Sequence, residues 1–215
     1  MSVSTADKIS TKVFNVPNQL TAARFVLAVV CFVLIPLEYY FAALIIFIIA
    51  ASTDWVDGWW ARKYDQVTQL GRIFDPFVDK VIICGTFVLL AVEIKVKFGA
   101  WTGEFPWYAR IFGWMAVVVV AREMLVTALR SFIEKAGGDF SAKWAGKLKM
   151  VFQCAAVVST LIVLHLYADK DTNKPANTME PWIIWGTAAC VWLAVISTIY
   201  SGVGYIVAAT KFIRE

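Results

Sequence analysis

Four aspartates lie where an apolar sequence should not have them. Asp54 and Asp57 close the second long apolar stretch of the chain, and Asp75 and Asp79 open the third. A charged side chain within a membrane-spanning segment costs at least about 2.5–3.5 kcal/mol on insertion scales and marks a functional site by default. A spacing of three in the first pair and four in the second puts each pair on one face of its helix. The link between the two stretches is short, which predicts neighbouring helices and four acids converging at one edge of a bundle. Four close carboxylates repel one another and cannot all stay ionised unaided. Oxygen donors without Cys or His favour Mg²⁺, Mn²⁺ or Ca²⁺ over zinc, and four acids suggest a pair of ions, as used to move phosphoryl groups. The plainer alternative is helix-end acids facing solvent or pairing with Arg62, Lys63 and Arg72.

The residues between the acids point the same way. Glycine inside a helix costs about 1 kcal/mol, so Gly58 and Gly71 suggest that something large approaches the backbone there. Arg62 offers a planar, two-pronged donor suited to phosphate, and Thr68 could add a hydroxyl to the same ligand.

The elements that must carry these groups follow from composition. Of 215 residues, 60% are hydrophobic and 17% charged, where soluble domains run at about 45–50% and about 25%. That excludes an ordinary water-soluble domain. Scarce Gly, Pro and Cys exclude collagen-like, disordered and disulfide-scaffold chains. The net charge of +4 is mild, and the basic residues lie beside apolar runs rather than in one patch, so no nucleic-acid partner is expected.

Six apolar segments, Arg24–Tyr40, Phe41–Trp60, Ile73–Ile94, Trp107–Leu129, Val151–Tyr167 and Pro181–Ala209, are each long enough for a transmembrane helix. Residues 1–14 read as a polar tail without a signal-peptide pattern, and 15–215 as one all-α integral membrane domain. With both termini in the cytosol, fifteen of the twenty Lys and Arg residues fall on the cytosolic side and five on the other, as the positive-inside rule requires. Cys31, Cys84, Cys154 and Cys190 match no metal or redox spacing and read as small buried hydrophobes. His165 reads as an interfacial polar residue.

Written out, the run is Asp54-x2-Asp57-Gly58-x2-Ala61-Arg62-x8-Gly71-x3-Asp75-x3-Asp79. It resembles the signature of the CDP-alcohol phosphotransferase family at all eight fixed positions. The resemblance implies six transmembrane helices with a polar cavity open to the cytosol, and a homodimer. It implies that Asp54, Asp57, Asp75 and Asp79 hold two Mg²⁺ or Mn²⁺ ions, and that Asp79 is also the general base on the acceptor hydroxyl. Gly58, Ala61, Arg62, Thr68 and Gly71 would surround the CDP moiety.

The acceptor is read from other stretches. Arg122 and Arg130 on the fourth segment, and Lys143, Lys147 and Lys149 before the fifth, gather five cations near the cytosolic end, and Arg122 lies about two turns inside its span. Cations suit a phosphorylated acceptor, whereas a free polyol would want neutral donors. For Lys135 and Lys143 the alternative is contact with anionic headgroups. Asn15-x-Pro17-Asn18-x-Leu20-Thr21-x2-Arg24, the Arg122-Glu123…Leu129-Arg130 run and Gly146-Lys147-x-Lys149 resemble the branch of the family that joins CDP-diacylglycerol to sn-glycerol 3-phosphate. That resemblance, weak over Tyr167–Glu215, implies acceptor-phosphate contacts from the five cations. It also implies nucleotide contacts from Asn18 and Thr21, in an N-terminal interfacial segment. Within the family the competing acceptors are those of a cardiolipin synthase of this fold, a phosphatidylserine synthase or an inositol-phosphate-using synthase. A divalent-cation transporter would spread ionisable residues across membrane depth, whereas here the outer halves of the spans read as apolar. A non-catalytic scaffold would not need Gly58, Gly71 and four acids together.

Overall fold

The computed structural model describes residues 16–64, 69–98, 105–136, 144–167 and 180–214. Within those helices the side chains of residues 16–18, 54–64, 69–73, 75–76, 134–135, 144–145, 147 and 212–214 lie outside the description. All of the regular structure described is helical: α1 (Val16–Leu34), α2 (Tyr40–Tyr64), α3 (Gln69–Phe98), a 3₁₀ turn (Trp107–Ala109), α4 (Gly113–Lys135), α5 (Trp144–Tyr167) and α6 (Pro181–Arg214). Each predicted apolar segment falls largely within one helix. The stretch expected to lie along the interface, with Asn18 and Thr21, is continuous with the first apolar segment in α1.

Local chemistry sets several ends. Pro36 has no N–H to donate and restricts Ile35, so α1 stops at Leu34. The turn is closed by Tyr39 N–H donating to the Leu34 carbonyl (3.0 Å) and passes through Glu38 at a left-handed φ of 69°. Lys97, at the far end of α3, holds the Glu38 carboxylate at 2.6 Å. Pro181 opens α6, where a missing N–H costs nothing.

The exterior is inverted relative to a soluble bundle. Large apolar side chains point outward along the helices, among them Val26, Val29 and Val33 on α1, Val117 on α4, and Ile196, Val203 and Val207 on α6. Arg24, Glu93, Arg122, Glu123 and Lys149 are instead buried. A continuous apolar exterior is stable only against lipid, so this is an integral membrane protein. Among the described residues three stretches are long and apolar enough to cross a bilayer: Trp107–Ile133, Leu148–Tyr167 and Pro181–Lys211. Gln19–Leu34 and Tyr40–Thr53 are shorter apolar helices.

In the bundle α1 packs against both α2 and α3, α4 against α3 and α6, and α5 against α2 and α6. The end away from the aspartates is closed by aromatic and polar contacts. Phe98 stacks on Phe105 at 4.9 Å, and Tyr108 stacks on Trp185 at 4.9 Å. Buried Arg110 donates Nε (2.9 Å) and Nη2 (2.5 Å) to the Phe105 carbonyl, and Trp192 Nε1 donates to the Tyr108 carbonyl at 2.8 Å. All four cysteines are free thiols in buried or half-buried positions, as small hydrophobes should be. His165 lies against the Phe41 ring at 5.3 Å.

One expectation needs correction. The outer half of α3 is not wholly apolar, because Glu93 is buried there and accepts a hydrogen bond from Tyr40 Oη at 2.7 Å. Fourteen residues, about 21 Å of helix rise, separate Glu93 from Asp79. The core between them holds buried Ile82, Ile83, Phe87 and Leu90, and its one buried hydroxyl among the described α3 residues, Thr86, donates to the Ile82 carbonyl of its own helix. Glu93 is therefore a satisfied pair joining α2 to α3, and not a step on an ion path.

Candidate active site

The acids sit on two helices whose backbones run unbroken through them. Asp54 and Asp57 lie in the later turns of α2, and Asp75 and Asp79 in the first turns of α3, with residues 65–68 between. The three- and four-residue spacings are therefore helical spacings, and each pair shares a face. The side chains of Asp54, Asp57 and Asp75 lie outside the described residues, as do those of Gly58, Ala61, Arg62 and Gly71, and Thr68 altogether.

Asp79 is described, and its partner is a residue that the sequence reading did not place in the site. Arg24 Nη1 donates to Asp79 Oδ1 at 2.5 Å, and Arg24 Nε donates to Thr53 Oγ1 at 3.3 Å. Arg24 is almost completely buried, while the Asp79 side chain keeps 22% of its surface. One guanidinium thus ties α1 to α3 at the last acid and to α2 one residue before the first. The signal that could have found it is the one that found the acids: a charge inside an apolar segment. Thr21, one turn before Arg24, is buried too, whereas the Asn18 side chain lies outside the described residues.

The donor chemistry fits a hard divalent cation. The set consists of carboxylate oxygens on two adjacent helix ends, and Asp79, the member described, keeps an exposed fraction beside a cationic partner. Among the described residues no group of three His, Cys, Asp or Glu is close enough to hold a metal ion, and three of the four aspartate side chains lie outside that description.

Lys80, the residue after Asp79, contributes a charge to an apolar cavity of about 710 Å³ walled by Phe32, Phe74, Phe77, Val81 and Met124. Gly85 belongs to this wall for a steric reason, since a Cβ there would lie 2.3 Å from the tip of the Phe32 ring.

Of the five cations expected around an acceptor phosphate, the structure brings two together. Arg122 on α4 and Lys149 on α5 both donate to Glu123 Oε1, Arg122 Nη1 at 3.3 Å and Lys149 Nζ more closely still. Arg122 Nη2 also donates to Ser201 Oγ at 2.9 Å, and its guanidinium lies over the Tyr205 ring, 5.4 Å from the centroid. Gln153 Nε2, one turn beyond Lys149, donates to Thr198 Oγ1 at 3.0 Å. Arg130 is exposed on α4, eight residues and about 12 Å of rise beyond Arg122, outside this buried group. Lys143 and the Lys147 side chain lie outside the described residues. Sequence reasoning missed Glu123, Ser201 and Tyr205. Glu123 carried the same intramembrane-charge signal as Arg122, but the α6 residues carried none.

The sequence profile of the family described as CDP-alcohol phosphatidyltransferase matches residues 14–200. The chain belongs to that family. Its match reaches well into α6, within the stretch where the motif resemblance is weak. The chain is 30% identical over 207 residues to the CDP-diacylglycerol–glycerol-3-phosphate 3-phosphatidyltransferase of Bacillus subtilis (strain 168), covering 89% of this chain and 93% of the relative. The enzyme of the same name from Escherichia coli (strain K12) is 30% identical over 202 residues, covering 91% of this chain and 95% of the relative. As a CDP-alcohol phosphatidyltransferase, the chain carries its signature acids on α2 and α3 and its buried cations on α4 and α5.

Proposed function

We propose that this chain transfers the phosphatidyl group of CDP-diacylglycerol to sn-glycerol 3-phosphate, giving phosphatidylglycerol phosphate and CMP. The observation that carries the choice of acceptor is the buried Arg122–Lys149 pair, in a chain whose relatives are named for that acceptor. Two buried cations suit a phosphate monoester, which carries more negative charge than the single carboxylate of serine.

Asp54, Asp57, Asp75 and Asp79 would hold two Mg²⁺ or Mn²⁺ ions. When bound, such ions neutralise diphosphate charge and stabilise a leaving phosphate. The rest is the work of side chains. Arg62 grips the diphosphate, while Asn18, Thr21, Gly58, Ala61, Thr68 and Gly71 enclose the CDP moiety. Arg122 and Lys149, with Lys147, Lys143 and Arg130 toward the rim, orient the acceptor by its phosphate. A carboxylate oxygen of Asp79 takes the proton of the acceptor's hydroxyl. The acceptor's hydroxyl oxygen forms a bond to the lipid-side phosphorus as the bond from that phosphorus to CMP breaks. Arg24 keeps the Asp79 carboxylate in place between α1 and α3. The acyl chains lie along the cavity beside Lys80, whose apolar wall opens toward the lipid-facing helices.

Six transmembrane helices, with both termini and the site on the cytosolic side of a bacterial cytoplasmic membrane, are part of the same reading. So are a polar tail over 1–14, one catalytic domain over 15–215, and a homodimer.

The test is CMP release by purified protein given CDP-diacylglycerol, Mg²⁺ or Mn²⁺, and a panel of acceptors. Turnover is expected with glycerol 3-phosphate. Turnover only with phosphatidylglycerol, inositol phosphate or serine would overturn the assignment of acceptor.

A further inference from the structure

We propose that Glu123 is a positioning residue for the acceptor, holding Arg122 and Lys149 side by side as a phosphate receptor that α6 braces through Ser201, Gly202 and Tyr205. The inference rests on the acceptor reading above and adds to it the residues that shape the receptor.

Glu123 is buried, and one of its oxygens is the common acceptor for both cations. Like charges buried together repel, so Arg122 and Lys149 stay adjacent only with an anion between them. The three side chains sum to one positive charge. A buried net charge of that sign calls for a further anion, and a phosphate would supply one.

Arg122 is also aimed. Ser201 fixes its Nη2, Tyr205 lies beneath its plane, and Nε is left without a hydrogen-bond partner among the described residues. A buried, unpartnered guanidinium N–H is costly unless a ligand satisfies it. Its aliphatic stem runs past Gly202, where an added Cβ would lie 3.1 Å from Arg122 Cγ. Ser201, Gly202 and Tyr205 lie on one stretch of α6, so a single helix supplies the whole brace.

The substitution Glu123→Gln keeps the size but presents an amide N–H₂ to two cations. It should raise the KM for glycerol 3-phosphate about ten- to a hundredfold, while the KM for CDP-diacylglycerol stays within about twofold. The rise in melting temperature that glycerol 3-phosphate gives the unsubstituted protein should be lost. Gly202→Ala leaves every charge in place and pushes on the Arg122 stem; it should raise the same KM severalfold. If Glu123→Gln does not fold, Gly202→Ala carries the test. An acceptor KM within about twofold of the starting protein in the folded variants would overturn the proposal, as would equal rises in both KM values, the mark of a merely structural role. Failure of the unsubstituted protein to release CMP with glycerol 3-phosphate would instead sink the acceptor reading.

Discussion

Replacing Arg24 by glutamine removes a guanidinium that joins three helices at Asp79. Its bond to Asp79 is short and charge-assisted, a class that contributes about 1.5–3 kcal/mol, and its longer bond to Thr53 belongs near the low end of about 0.5–1.5 kcal/mol. Asp79 keeps 22% of its side chain accessible, so water recovers part of the loss once the partner is gone. The net cost should be about 2–3 kcal/mol, less than the 3–5 kcal/mol typical of stranding a fully buried charge. Both residues make further interactions, so a single substitution measures more than the pair. A double-mutant cycle of Arg24→Gln and Asp79→Asn isolates it. Unfolding followed in mixed detergent with chelator present should give a coupling of about 1.5–2.5 kcal/mol. Single effects that add to within about 0.5 kcal/mol would refute the tether and, with it, the claim that α1 positions Asp79.

Three further outcomes are expected. Asp79→Asn should abolish CMP release while leaving the helical circular dichroism and the elution volume unchanged; near-normal turnover would remove Asp79 as the base. Gly85→Ala places a methyl against the Phe32 ring and should cost about 1–3 kcal/mol of stability, most of it restored when Phe32 is also made alanine; equal stability of the two single variants and the double would contradict the close approach. Tyr40→Phe leaves the buried Glu93 carboxylate without that hydrogen bond and should lower stability by about 1–3 kcal/mol, with the KM for both substrates unchanged, because the pair lies about 21 Å of helix rise from Asp79.

Much of the fold was legible because a membrane imposes a long apolar run on each crossing. The six runs read from the sequence fall largely within α1 to α6, and among the described residues three stretches are long and apolar enough to cross. The ends were less so. α2 and α3 extend through the charged motif because its glycines are single and tolerated, and α3 continues through Lys95 and Lys97, which hydropathy reads as a link. The acids were visible through helical spacing, a local property. Arg24 with Asp79, Tyr40 with Glu93, and Arg122 with Ser201 join residues 55, 53 and 79 positions apart. Nothing in the local pattern of either partner encodes such a pairing. Glu123 shows the remaining gap: beside Arg122 it read as one half of a dipeptide, and only the packing of α5 made it the anion shared with Lys149.

The stacked aromatics and doubly satisfied Phe105 carbonyl at the far end of the bundle carry a consequence for the cell. A hydrophilic well sunk into a bilayer is a hazard, because water reaching both faces would short-circuit the proton gradient. Here Phe98, Phe105 and Ala109 are buried, and the Arg110 guanidinium is held by a backbone oxygen. Packing of that kind offers water few partners at this end of the bundle.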